Sequence, residues 1–180
     1  MVEENIKQEK TATLPQIWVG YVAGVVLFLL EAIATVMIAS AALSEESSIP
    51  LLDIPYVLIS LGAFIYWLVC VYKIHKVLFQ ATDNTYPITP RRAVGFHFLP
   101  FYNLYWIFKW PSEVVKFINV NAPSLNMKPY APGAIIAISF LLNRAIPSIG
   151  TIVIFISLKW MIRNIKKVLE ENPPSSAPVS

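Results

Sequence analysis

Between Ile17 and Leu43 the chain carries a single charged side chain, Glu31. An α-helix rises about 1.5 Å per residue, so roughly 20 apolar residues cross the ~30 Å hydrocarbon core of a bilayer. The stretch is long enough to do so with a tilt. The rest of the chain agrees: of its 180 residues, 56% are hydrophobic and only 14% charged. Soluble domains carry about 25% charged residues. A chain this poor in charge cannot coat itself against water, and an integral membrane protein is the reading. Small residues at 38–42, IASAA, look like a leader-cleavage site. The apolar run is too long for a leader and its N-terminal flank is more acidic than basic, so the span is expected to stay in place.

Further apolar stretches follow. A second span starts near Ile54-Pro55, with proline at a helix entrance where its missing N–H costs nothing, and runs through Tyr66, Trp67 and Tyr72 to about residue 79. A last apolar region, 131–169, is interrupted at Asn143-Arg144-Ala145-Ile146-Pro147. As one helix it would far exceed the bilayer, so it is either a hairpin or one kinked span with an extension. The expectation is an all-α membrane protein with four transmembrane helices plus an aromatic re-entrant or interfacial segment. The single membrane domain covers 17–169, with spans at about 17–43, 55–79, 131–146 and 147–165. A cytoplasmic tail at 1–16 and a disordered Pro/Ser-rich tail at 172–180 flank it.

Charge placement orients the spans. The segment 44–54 holds Glu45, Glu46 and Asp53 and no Lys or Arg, whereas Lys73, Lys76, Arg91 and Arg92 follow the second span. Lys159, Arg163, Lys166 and Lys167 lie near the C-terminus. Short basic flanks stay cytoplasmic. Both termini are therefore expected inside, in a cell inner membrane. Nucleic acid is not an expected partner, because the basic residues border apolar spans and form no stripe on a soluble face. Cys70, alone, has no intrachain disulfide partner.

The segment 94–119 is the least regular. Aromatic rings crowd between Val94 and Trp110, with Pro100 and Asn103 breaking the middle. Rings with a polar edge favour the headgroup boundary, and a mid-segment proline breaks or kinks a helix. A re-entrant or interface-lying segment is expected, followed by a short amphipathic helix from Pro111 to Asn119; a full kinked crossing is the alternative. Lys109, Glu113 and Lys116 sit at helical spacings of four and three, as on a solvated face. Around this stretch the chain resembles a family of uncharacterised bacterial multi-pass membrane proteins, a domain of unknown function. The residues that carry the likeness are Gly95, Phe96, Pro100, Asn103, Tyr105 and Trp106, with TPRRA at 89–93 and PSIG at 147–150. The resemblance implies a bacterial membrane location and no particular chemistry; His97 departs from the more aliphatic pattern.

At 100° per residue Gly20, Gly24, Glu31 and Thr35 share one stripe of the first span. Gly20 and Gly24 form a small-xxx-small pair, which lets membrane helices approach closely. Glu31 is thus expected to face another helix. A charge at the bilayer centre costs about 2.5–3.5 kcal/mol, so the group is either a titrating or ion-binding site or a carboxyl hydrogen-bonded to its neighbour. Arg144 is an interface anchor in the hairpin reading and a partner for Glu31 in the kinked one. His97 reads as a member of the aromatic belt, and His75, between Lys73 and Lys76, as a helix-end residue. The histidines lack metal-ligand spacing, and no nucleotide loop, nucleophile elbow or other catalytic motif appears. No cofactor, metal or enzymatic activity is expected. The expected role is structural, accessory or oligomer-forming, with lipid and a second copy or another membrane protein as partners. The alternative is a small transporter or channel subunit in which Glu31 titrates.

Overall fold

The computed structural model describes residues 13–44 and 53–171, with side chains described for 13–37 and 54–171. The expectations for most of the acidic segment 44–54, for most of the tail 1–16 and for the tail 172–180 therefore lie outside the described residues; Asp53, expected in that segment, opens α2. The described residues are helical and contain no strand: α1 (Trp18–Ser44), α2 (Asp53–Ala81), α3 (Pro90–Gly95), α4 (Tyr102–Asn121), α5 (Ala131–Ala145) and α6 (Pro147–Glu171), with short 3-10 turns at Phe96–Phe98 and Pro123–Leu125. Three helices, α1, α2 and α6, are long and apolar enough to cross a membrane; α5 is apolar but shorter. IASAA lies within α1.

The fold groups into two compact units, one of Gln16–Leu68 with Ala134–Lys159, the other of Val69–Gly133 with residues 160–171. Helices α2 and α6 contribute to both.

In the first unit, α1 turns one side outward. Val22, Val25, Phe28, Leu29, Ile33 and Val36 are exposed, while Leu27 is fully buried. An exposed apolar surface of this extent belongs in lipid. The buried side is the glycine stripe. A Cβ placed on Gly20 would sit 2.3 Å from the Phe155 ring, and one on Gly24 2.5 Å from Ile152 Cγ1. Since residue numbers rise along α1 as they fall along α6, the two helices are antiparallel. Lys159 Nζ stands 5.6 Å from the centre of the Tyr21 ring, a cation–π contact at the same pairing.

Only Ile146 separates α5 from α6. A Cβ on Gly150 would meet Ser139 O and Asn143 N at 2.6 Å. In one continuous helix residues 139 and 150 would be about 16 Å apart. The chain therefore folds back on itself here: the hairpin reading holds and the kinked single span does not. Gly150 is the residue that permits it, because its neighbours are backbone atoms that cannot move aside. Pro147 occupies the first position of α6, where no N–H is needed.

The second unit is built on α4. The break in the aromatic segment falls at Pro100-Phe101. Phe101 adopts φ 60°, ψ −38°, a left-handed conformation costly for a bulky side chain. Helix α4 then starts at Tyr102, nine residues before the expected Pro111. Pro111 lies inside the helix and is buried. It cannot donate to Ile107 O, four residues back. Gly133 sits against that carbonyl: a Cβ there would be 3.3 Å from Ile107 O and 2.9 Å from Phe108 Cα. The carbonyl left free by proline thus lies beside Gly133, near the start of α5. Asn119 clamps the loop that follows, donating to Met127 O at 2.8 Å and accepting from Met127 N at 2.9 Å. Buried side chains from α2 (Val71, Ile74, Leu78), α4 (Trp110, Val114, Ile118) and α6 (Met161, Ile165, Val168) make the core.

Candidate functional site

The polar centre of the first unit forms where α1 meets the start of α6. The first N–H groups of any helix lack an intrahelical acceptor. Ser148 N donates to Glu31 Oε1 at 2.9 Å, and Ser148 Oγ donates to Glu31 Oε2 at 2.6 Å. Both side-chain oxygens of Glu31 thus engage Ser148 at the start of α6, the positive end of its helix dipole. Glu31 caps α6 from another helix. Ser148 is completely buried and Glu31 half-buried. One turn further on, Thr35 Oγ1 donates to Glu31 O at 2.8 Å. Arg144 is exposed and makes no described ion pair with Glu31. Ser148 was not singled out by the sequence; the signal available was a serine directly after a helix-starting proline.

Close by is a small cavity of about 50 Å³ lined by Ser60, Phe64, Trp67, Phe140, Asn143 and Thr151, among others. It has room for one or two waters. Ser60 Oγ is buried and lacks a hydrogen-bond partner among the described residues, which fits water there.

The second unit contains the aromatic segment. Thr89 caps α3 through its hydroxyl, 3.4 Å from Arg92 N, with Pro90 next. Trp106 is buried and donates from Nε1 to Ala93 O at 2.9 Å, tying α4 to α3. Its ring packs edge-on against Phe96 with centroids 4.8 Å apart. Tyr105 is exposed. The side-chain oxygen of Asn103 is buried without a described partner, and its backbone N donates to Leu99 O at 3.1 Å. Gly95 has a negative φ and open space where a Cβ would be; nothing around it requires glycine.

His75 is not a solvated helix-end residue. It is fully buried, its ring 5.6 Å from that of Tyr86 and 5.7 Å from that of Trp110. His97, also buried, lies 6.4 Å from Trp110 with Nδ1 3.3 Å from Val94 O. Burial pushes the His97 imidazole down to about 4, against smaller upward contributions from the Val94 and Ala93 backbone. The ring is neutral at neutral pH. No cluster of three or more His, Cys, Asp or Glu suited to a metal occurs among the described residues.

Lys109 and Lys116 both donate to Glu113 Oε1, each at 2.8 Å. Partial burial alone would raise the Glu113 carboxyl, but the lysine hydrogen bonds and charges outweigh it and hold it below the usual range. In turn the Glu113 hydrogen bond raises Lys109. Two recesses flank this triad. One, about 190 Å³, is lined by Pro87, Ile88, Arg92, Phe96, Trp106, Lys109 and Glu113. The other, about 300 Å³, includes Thr82, Thr85, Tyr86, Glu113, Lys116 and Phe117 in its lining.

No protein-family model, no characterised protein and no solved structure matches the chain.

Proposed function

We propose that this protein is a structural or accessory component of a bacterial inner membrane, whose intramembrane carboxyl group holds helices together and carries no proton or ion. The observation behind this reading is the double acceptance of Ser148 by Glu31. Both oxygens are engaged in capping α6, and the cavity of about 50 Å³ lined by Ser60, Asn143 and Thr151 among others takes a water or two.

The finer topology follows from lengths. Helix α5 has 15 residues, about 22 Å. The apolar part of α6 ends at Lys159, about 18 Å from its start. Its first turn meets α1 at Glu31, only about 20 Å along α1 from Trp18. Each distance is short of the ~30 Å hydrocarbon core. We therefore infer two full crossings, α1 and α2, with α5–α6 as a hairpin that enters from the cytoplasmic side and stops short of the far surface, rather than four crossings. Arg144, beside the tip, reaches the outer headgroups by snorkelling. Both termini remain cytoplasmic, as the distribution of Lys and Arg favours. The aromatic segment lies in the interface: Phe98, Leu99, Phe101, Leu104, Tyr105 and Phe108 are exposed at its start, whereas the turns beyond carry Lys109, Glu113 and Lys116.

Two measurements test this. Proteoliposomes loaded with a pH-sensitive dye should leak protons no faster with the wild-type chain than with Glu31→Gln; Glu31-dependent flux would overturn the structural role. In a Cys70→Ser background, Ile146→Cys should resist an impermeant maleimide applied to the outside of intact cells. Ready labelling would restore two complete crossings for α5 and α6.

A further inference from the structure

The basic recess and the exposed aromatic face of the second unit are carried by one helix. On α4, at 100° per residue, Leu104, Tyr105 and Phe108 occupy one side and Trp106, Lys109 and Glu113 the adjacent one. The first side is apolar and exposed, with Phe101 89% exposed just ahead of the helix. The second faces the recess that Arg92 of α3 completes. Two cations, Arg92 and Lys109, line this recess against one carboxylate, and Glu113 is already neutralised by Lys109 and Lys116. Aromatic walls fix the shape: Phe96 and Trp106 pack on one another, and Trp106 is anchored by its bond to Ala93 O. The volume, about 190 Å³, equals roughly six waters, ample for a phosphate and its first substituents.

We propose that this recess binds the phosphate-bearing headgroup of an anionic membrane phospholipid, whose acyl chains run over the neighbouring face formed by Phe101, Leu104, Tyr105 and Phe108. Arginine supplies a planar pair of donors to phosphate and lysine a point charge. A soluble phosphate would use the recess alone. The bordering apolar face, exposed in the same two turns, is what selects an amphiphile. Basic side chains at an interface attract anionic lipid in just this way. The second recess, beyond Glu113, is lined by Lys116 among others, a further cation for a headgroup that extends past the carboxylate.

The test is native mass spectrometry of the full-length protein, delipidated in detergent and titrated with dioleoyl phosphatidylglycerol or dioleoyl phosphatidylcholine. The glycerol lipid should occupy a first site at a concentration roughly tenfold lower or more, the effect expected of two basic contacts. Arg92→Gln combined with Lys109→Gln should abolish the difference, while Arg91→Gln, an exposed neighbour outside the recess, should keep it. Equal occupancy by the two lipids in the wild type, or a preference that survives the double substitution, would overturn the proposal without reference to how well the variants fold. Displacement of the bound lipid by millimolar inorganic phosphate would also overturn it, since the recess would then be a soluble-anion site.

Discussion

Ser148 presents two donors to one side chain, and what replaces that side chain decides how much is lost. Glu31→Ala leaves a buried N–H and a buried hydroxyl without acceptors, at about 1–3 kcal/mol each; a loss of about 2–6 kcal/mol in unfolding from detergent micelles is expected. Glu31→Gln keeps an oxygen for the N–H and offers its own amide hydrogen to Ser148 Oγ, so the loss should be about 1 kcal/mol. If the glutamine variant were as unstable as the alanine one, the capping account would be wrong. The stripe Gly20, Gly24, Glu31 was legible because a helical period needs only one strand of sequence to be seen. Its partner was not: Ser148 lies 117 residues away, and nothing local marks it as a donor to another helix. His75 failed for the opposite reason. Its lysine neighbours suggested water, but its ring points away from them into a pocket made by Tyr86 and Trp110.

Among the elements, α5 and α6 show how one missing methyl group sets a turn. Gly150→Ala drives a Cβ into the backbone at Ser139 and Asn143, and overpacking of this kind costs typically 1–3 kcal/mol. Gly95→Ala meets open space in a helical backbone and should be neutral or stabilising by up to about 1 kcal/mol. Paired melting curves of the two variants check this; equal destabilisation would mean the hairpin does not close at Gly150. The sequence located the break at 143–147 through its proline but could not distinguish turn from kink, a matter of which atoms Gly150 touches. For α4 the proline rule misled. Pro111 reads as a helix start, yet the aromatic run ahead of it already turns into helix at Tyr102, and Gly133 fits against the carbonyl the proline leaves unbonded.

For the molecule as a whole, acid should act first on the second unit. His97 is held near 4 in the folded protein and returns to about 6.5 when unfolded. Between these values the unfolded chain binds a proton that the native one does not, so stability falls as pH drops through that window, by about 3 kcal/mol at most. Glu113 is lowered instead, so its contribution is present above the ordinary carboxyl range and is lost only below it. Melts at pH 7 and pH 5 report on the two buried imidazoles, His75 and His97, together: the wild type should weaken, and His97→Gln should weaken less. An unchanged wild type would place His97 in contact with water. The membrane character and the all-helical class were legible from apolar run lengths; the number of spans was not, since three helices and not four are long and apolar enough to cross. Organisation into two units was not, because α2 and α6 each read as one uninterrupted helix.

The glycine side of α1 is engaged within its own chain, by Phe155 and Ile152. Two copies meeting in the bilayer through this helix would therefore touch across branched and aromatic groups such as Val25, Phe28 and Ile33. These adhere to one another little better than to lipid tails. Self-association by this route would have no fixed stoichiometry: it would rise with surface density and dissolve on dilution into fresh lipid.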